Sequence, residues 1–200
     1  MTADGVLIRP SREGDVPEIA AIYRYHVLYG LASFEEIPPD PDELASRRRD
    51  ILNHGLPYLV AERSGRVLGY CYAGLYRTRS AYRFTLEDSI YIDKAEVGRG
   101  LGRALLATVL DRCAELGYRQ MVAVIGGSDT WPSIRLHAAL GFTRIGILPA
   151  VGFKFGNWVD IVLMQRALAG CGKSRFIGPR SGIKFAVRGE MWGTCDARLG

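Results

Sequence analysis

Gly98, Gly100 and Gly102 alternate through Glu96-Val97-Gly98-Arg99-Gly100-Leu101-Gly102-Arg103, between the apolar run Ser89-Ile90-Tyr91-Ile92 and a second run from Ala104 to Leu110. Glycines so spaced let the backbone turn tightly and leave its N–H groups uncovered, and a helix beginning there adds partial positive charge. The chemistry this suits is the binding of a phosphate or pyrophosphate. Two familiar nucleotide loops are excluded by spacing. G-x-G-x-x-G fails because positions 103 and 105 are Arg and Leu, and G-x-x-x-x-G-K-[ST] fails at Gly172-Lys173-Ser174, where Ala167 occupies the place of the first glycine.

The elements that must position this loop are legible in the apolar periodicity. Val6 to Pro10 reads as a strand, and a helix from Glu13-Gly14-Asp15 carries Val16, Ile19, Ala20, Ile22 and Tyr23 at helical spacing. After a polar, proline-rich link, a second helix runs from about Asp42 to Asn53 and stops at His54-Gly55. Residues 57–62 and 67–73 form a hairpin about Ser64-Gly65-Arg66, and a third strand from Thr85 to Asp93 leads into the glycine loop. A helix to Gly117, a strand at 120–125, a helix at 132–140 and strand runs at 144–148 and 160–164 complete the order βααβββαβαββ. That order places an antiparallel meander before a βαβ crossover. The expected fold class is therefore α/β (α+β), a mixed central sheet with helices on both faces. The glycine loop then lies where parallel strands splay at their carboxyl ends, the usual place for a ligand.

Two hundred residues, 48% hydrophobic and 24% charged, suffice for one domain with a full core. Of the 26 basic and 21 acidic residues, 20 and 19 fall within residues 1–169, so the net charge of +5 arises almost wholly in the glycine-rich stretch 170–200. We expect a domain at 1–169 followed by a solvated, poorly ordered basic tail, and no nucleic-acid partner. No apolar run is long enough to span a bilayer and the first residues do not resemble a leader, which gives a cytoplasmic expectation with no membrane association. Cys71, Cys113, Cys171 and Cys195 form no C-x-x-C pair, so no metal site is expected.

The loop resembles the Q/R-x-x-G-x-G/A segment with which acyl-CoA N-acyltransferases of the GNAT superfamily hold the pyrophosphate of coenzyme A. Ser133-Ile134-Arg135-Leu136-His137-Ala138-Ala139-Leu140-Gly141-Phe142 resembles the superfamily's second coenzyme segment. A narrower likeness, to phosphinothricin and methionine sulfone N-acetyltransferases, runs through Arg79 to Ile92, Ala123-Val124-Ile125-Gly126 and Gly152 to Asp160. In all it covers roughly residues 6 to 166. Val97 stands where the loop usually has Gln or Arg, and Thr130 stands near the usual Asn. The backbone amides that bind phosphate do not depend on either side chain.

The resemblance implies acetyl transfer from acetyl-CoA to the α-amino group of a small amino acid or analogue, by direct transfer and without a metal. Its implied catalytic residues are Glu87, which takes the ammonium proton, and His137, which protonates the departing sulfur. A carboxylate half-buried among Phe84, Leu86 and Tyr91 should have a raised pKa, whereas pairing of Glu87 with Arg79 or Arg83 would remove it from that role. Asp88 points to the opposite face by strand alternation. Ile90, Tyr91 and Ile92 would run beside the pantetheine, and Val97, Gly98, Arg99, Gly100, Leu101, Gly102 and Arg103 would hold the pyrophosphate, with Thr130 and Ser133 nearby. Phe34, Arg79, Tyr82, Glu87 and Lys154 are the implied amine-side residues, Arg79 as a bidentate partner of a carboxylate. A homodimer is also implied. Acceptance of a protein N-terminus, polyamine or aminoglycoside is the alternative within the enzyme class, and a non-catalytic acyl-CoA sensor the alternative outside it.

Overall fold

The computed structural model describes residues 5–128 and 130–168, so the expected tail at 170–200 lies outside the described residues. The chain runs β1 (Leu7–Pro10), α1 (Val16–Tyr29), α2 (Pro41–Asn53), β2 (Tyr58–Arg63), β3 (Arg66–Leu75), β4 (Thr85–Ile92), α3 (Leu101–Glu115), β5 (Gln120–Gly126), α4 (Trp131–Ala139), β6 (Thr143–Lys154) and β7 (Asn157–Ala167). This is the order read from the sequence. Short 3-10 turns at Glu13–Asp15 and Ser80–Tyr82 precede α1 and β4.

Local chemistry accounts for the boundaries. The Asp40 side chain accepts the Glu43 N–H and Pro41 fills the first turn of α2, two N-terminal signals acting together. Ser64 and Gly65 both have positive φ, as a two-residue hairpin turn between twisted strands requires.

The seven strands form one sheet in the order β1-β2-β3-β4-β5-β7-β6. Only β4 and β5 are parallel. Strand alternation divides the core between two faces. Leu59, Ala61, Leu68 and Cys71 pack with Leu105, Leu106 and Val109 of α3, while Tyr58, Val60, Val67 and Tyr70 pack with Ile19, Tyr23 and Val27 of α1 and Leu44 of α2. Ile134, Leu136 and Leu140, on or just after α4, lie on the α3 side.

The last two strands are longer than their apolar runs suggest. Ala150 has positive φ and the β6–β7 register shifts between Leu148 and Gly152, so the interruption by Pro149 and Ala150 is absorbed as an irregularity within one strand.

Candidate active site

The parallel pairing of β4 with β5 lasts for three residue pairs, Thr85 with Gln120, Leu86 with Met121 and Glu87 with Val122. Beyond Glu87 the strands part. The gap opens into a cavity of about 430 Å³, with Leu31, Phe34, Glu35, Glu87, Asp88, Ser89, Thr130, Ser133 and His137 among its walls. Asp93 N donates to Leu68 O, so alternation turns the main-chain groups of Tyr91 toward β3 and those of Ile90 and Ile92 toward the gap. Ile90 and the N–H of Ile92 thus present an open strand edge where an extended ligand can pair, Ile92 O being taken by His26. Tyr91, expected to act with them, instead pairs its main chain with β3, its ring packed against Tyr23 and Tyr70.

Glu87 sits where β4 and β5 separate. It is half-buried, and its carboxylate makes no ion pair with another described residue. Burial pushes its pKa up, the neighbouring Asp88 charge adds to this, and Arg77 opposes it. The sequence rivals for pairing lie elsewhere: Arg83 donates to Ser80 O and covers the Phe84 ring, while Arg79 is exposed at the head of the Ser80–Tyr82 turn.

Asp88 points to the other face, as alternation requires, and there it meets His137. His137 Nε2 lies 3.0 Å from Asp88 Oδ2, and Nδ1 lies 2.8 Å from Ser133 O. A carbonyl oxygen only accepts, so Nδ1 carries a proton. Burial disfavours charge on the ring, but the Asp88 hydrogen bond and charge, aided by Ser133 O, raise the His137 pKa above its ordinary value. This corrects the expectation of a proton-donating His137: the ring is buried and both nitrogens are already held by protein. Asp88 Oδ1 is buried without a hydrogen-bond partner among the described residues. The sequence signal for this pair was present in the alternation of Glu87 and Asp88. What could not be read was that α4 lies over the Asp88 face.

On the opposite wall, Phe34 lines the cavity. Lys154 does not, and its expected contact with substrate is corrected: it is 2% exposed, and Nζ donates to Gly30 O at 2.9 Å and Ser33 O at 2.5 Å. Arg79 and Tyr82 are exposed on the segment leading into β4 and are not brought to the cavity wall.

At the mouth, Gly98 and Gly100 have φ of +85° and +80°, left-handed values that side chains resist, and Gly100 is the N-cap of α3. The first N–H groups of α3, from Leu101, Gly102 and Arg103, have no partners within the helix and face outward at its positive end. Gly102 has a tight neighbour: a Cβ there would stand 3.2 Å from Leu136 of α4. Val97 and Arg103 are exposed, and Arg99 rests 3.4 Å from Glu96, itself buried and held by Arg63 at 2.8 Å. Thr130 Oγ1 donates to Gly126 O, so that hydroxyl already serves the loop before α4.

Sequence reasoning passed over His26. Its Nε2–H donates to Ile92 O at 2.9 Å, and burial lowers its pKa, so a neutral imidazole fixes the last peptide of β4. No local motif marks it, because its partner is a backbone atom 66 residues away. Cys71 and Cys113 are buried, and burial raises both thiols, Cys113 to about 12, which leaves neither poised as a nucleophile.

A strand pair that parts at a lone carboxylate, with a glycine turn and helix N-terminus at the same end, defines a group-transfer enzyme for a phosphate-bearing donor. The chain belongs to the acetyltransferase (GNAT) family, whose model matches residues 20–142, and it is an acetyltransferase. It is 55% identical over 161 residues to a phosphinothricin N-acetyltransferase of Alcaligenes faecalis, covering 80% of this chain and 82% of that protein. It is 39% identical over 163 residues to an L-methionine sulfoximine/L-methionine sulfone acetyltransferase of Salmonella typhimurium, covering 80% and 94%. A Sinorhizobium meliloti phosphinothricin acetyltransferase, solved in complex with AcCoA, superposes with a TM-score of 0.82 at 45% identity, covering 90% of this chain and 96% of that one.

Proposed function

We propose that this enzyme uses acetyl-CoA to acetylate the α-amino group of a small amino acid or analogue of the phosphinothricin, methionine sulfone or methionine sulfoximine type. The observation that carries this reading is Glu87, an unpaired carboxylate of raised pKa at the point where β4 and β5 part. The relatives just described favour the same substrate class.

The residues at the mouth fit coenzyme A: two glycines in left-handed conformation leave the loop amides bare, and α3 begins there. Val97 to Gly102 would hold the pyrophosphate, with Arg99 and Arg103 for remaining phosphate charge, and Ile90 and Ile92 would pair with the pantetheine amides. When bound, acetyl-CoA supplies an activated acetyl thioester. Glu87 takes a proton from the incoming ammonium, directly or through water, which its raised pKa favours near neutrality. The main-chain N–H of Ile92 faces the gap as a donor to carbonyl oxygen. His26 holds the following peptide through Ile92 O, at the end of β4, and the Asp88–His137 pair holds α4, with Thr130 and Ser133, against β4. Transfer is direct, in a ternary complex: the nitrogen that gave its first proton to Glu87 gives its second to the departing sulfur, and Cys71 and Cys113, the cysteines among the described residues, are buried and not activated.

The amine's carboxylate would lie outward, toward Arg77 and Arg79, because no Arg or Lys among the described residues lines the cavity. A thiol-release assay with acetyl-CoA tests the reading across amino acids, their sulfone, sulfoximine and phosphinic analogues, and an N-terminal peptide. Rapid acetylation of the peptide with none of the analogues rejects it.

The homodimer is proposed on the exposed edge. β6 is an edge strand, and Ile145, Val151, Phe153 and, on β7, Trp158 stand exposed along it, Phe153 at 55% and Trp158 at 69%. Light scattering should return twice the chain mass. A monomer would reject the dimer and leave the catalytic reading intact.

A further inference from the structure

Lys154 is the last residue of β6, and its ammonium is buried against the link that follows α1. Two of its three N–H donors go to Gly30 O and Ser33 O, and Nζ lies 4.9 Å over the Phe155 ring. Burying an ammonium is costly, and an apolar residue would fill the same space without that cost. What the lysine adds is a hold on two main-chain carbonyls of a link that lies outside the helices and strands.

The same link is braced from the other side. The Phe34 ring lies in the space that a Cβ on Gly126 or Gly152 would take, and a Cβ on Gly126 would also strike Leu31 O. Ser33 completes the brace, its hydroxyl 2.8 Å from Tyr23 OH and accepting the Glu35 N–H. Leu31, Ala32, Ser33, Phe34 and Glu35 together form the cavity wall that faces β4 and β5.

We propose that Lys154 is a positioning residue for the amine: by anchoring Gly30 and Ser33 it sets the Leu31–Phe34 wall and so the space beside Glu87. The inference rests on the reading that the amine enters this cleft. It assigns Lys154 no contact with substrate. Its effect must therefore fall on the amine side and spare the coenzyme mouth.

Lys154→Met in the full chain tests it by steady-state kinetics with the analogue that the wild type turns over fastest, and by amide hydrogen exchange without ligands. The amine KM should rise about tenfold or more while the acetyl-CoA KM stays within about twofold. Exchange should quicken at residues 31–35 and not at 96–102. Gly152→Ala, which displaces Phe34 with Lys154 intact, should give the same amine-only signature, and it stands in if Lys154→Met does not fold. Leu110→Ala, a core change on α3 remote from the glycine loop, controls for general destabilisation. Unchanged amine KM and exchange in Lys154→Met, or both KM values moving as they do in Leu110→Ala, overturns the inference. If the wild type acetylates no amino acid or analogue, the substrate reading fails on that result alone, and the exchange comparison still decides whether Lys154 anchors the wall.

Discussion

Asp88 carries the ring of His137 across the divide between β4 and α4, Oδ2 to Nε2 at 3.0 Å, with the two side chains 1% and 3% exposed. Removing one partner of such a pair leaves the other buried and uncompensated. Asp88→Ala should therefore lower stability by about 3–5 kcal/mol. Asp88→Ala and His137→Ala should be strongly non-additive in a double-mutant cycle, with a coupling of roughly 2 kcal/mol read from urea unfolding. Additive effects would mean that the contact does not join the two elements energetically.

The same pair predicts a pH dependence of stability. The folded-state pKa of His137 is raised, so the folded protein holds the ring proton more tightly than the unfolded chain does. The stabilisation is complete below the unfolded histidine value of about 6.5 and is lost as pH rises through the higher folded value. Unfolding midpoints measured upward from pH 6 should fall in the wild type, and this component should vanish in His137→Phe.

Glu87 has the same sign of linkage, stability falling as pH rises, but from burial and at lower pH. Its raised pKa means that the charged form is disfavoured by folding, so above the usual glutamate range this side chain works against stability. Glu87→Gln should therefore raise Tm near neutral pH while lowering kcat/KM by roughly 10²- to 10⁴-fold, with acetyl-CoA binding by calorimetry unchanged. In the wild type the acid limb of kcat/KM should lie above the ordinary glutamate range. An enzyme that lost Tm together with activity would mark Glu87 as a structural residue.

How far the site could be read in advance follows from the range of each interaction. Gly98 and Gly100 need positive φ, Glu87 and Asp88 need opposite faces of one strand, and the apolar spacing of α1 needs a buried face; all three are local rules visible in the chain. The element order and the mixed sheet follow from such rules. His137, Lys154 and His26 were misread or passed over for one shared reason. Each is defined by a partner far away in sequence: Asp88 at 49 residues, Gly30 at 124 and the Ile92 carbonyl at 66. Two of those partners are backbone atoms, which leave no residue-type signal at all. A lysine in a cleft-forming segment reads as a substrate ligand until packing shows that its ammonium points into the protein.

Gly100 offers a test of the mouth that spares the amine side. At φ +80° an added Cβ costs roughly 1–2 kcal/mol of backbone strain although no neighbouring atom lies within 4 Å. Gly100→Ala should therefore raise the acetyl-CoA KM by about tenfold while the amine KM stays nearly constant. Equal increases in both would indicate that the loop and the amine wall are one cooperative unit.

Val97 is the position at which the loop departs from the usual Gln or Arg, and it is 60% exposed, so a longer side chain fits without repacking. A guanidinium there would add positive charge beside the N-terminus of α3, and its gain on a bound diphosphate is of the order of 0.3–1 kcal/mol at low salt, by analogy with charges placed at helix ends. Val97→Arg should tighten acetyl-CoA by about two- to fivefold in low salt, with the gain shrinking as ionic strength rises past the point where the Debye length is about 8 Å. kcat should stay level, since the substitution lies outside the Glu87 end of the cleft. A salt-independent gain would point to packing against the coenzyme rather than charge, and a loss would show that Val97 is itself part of the cradle's fit.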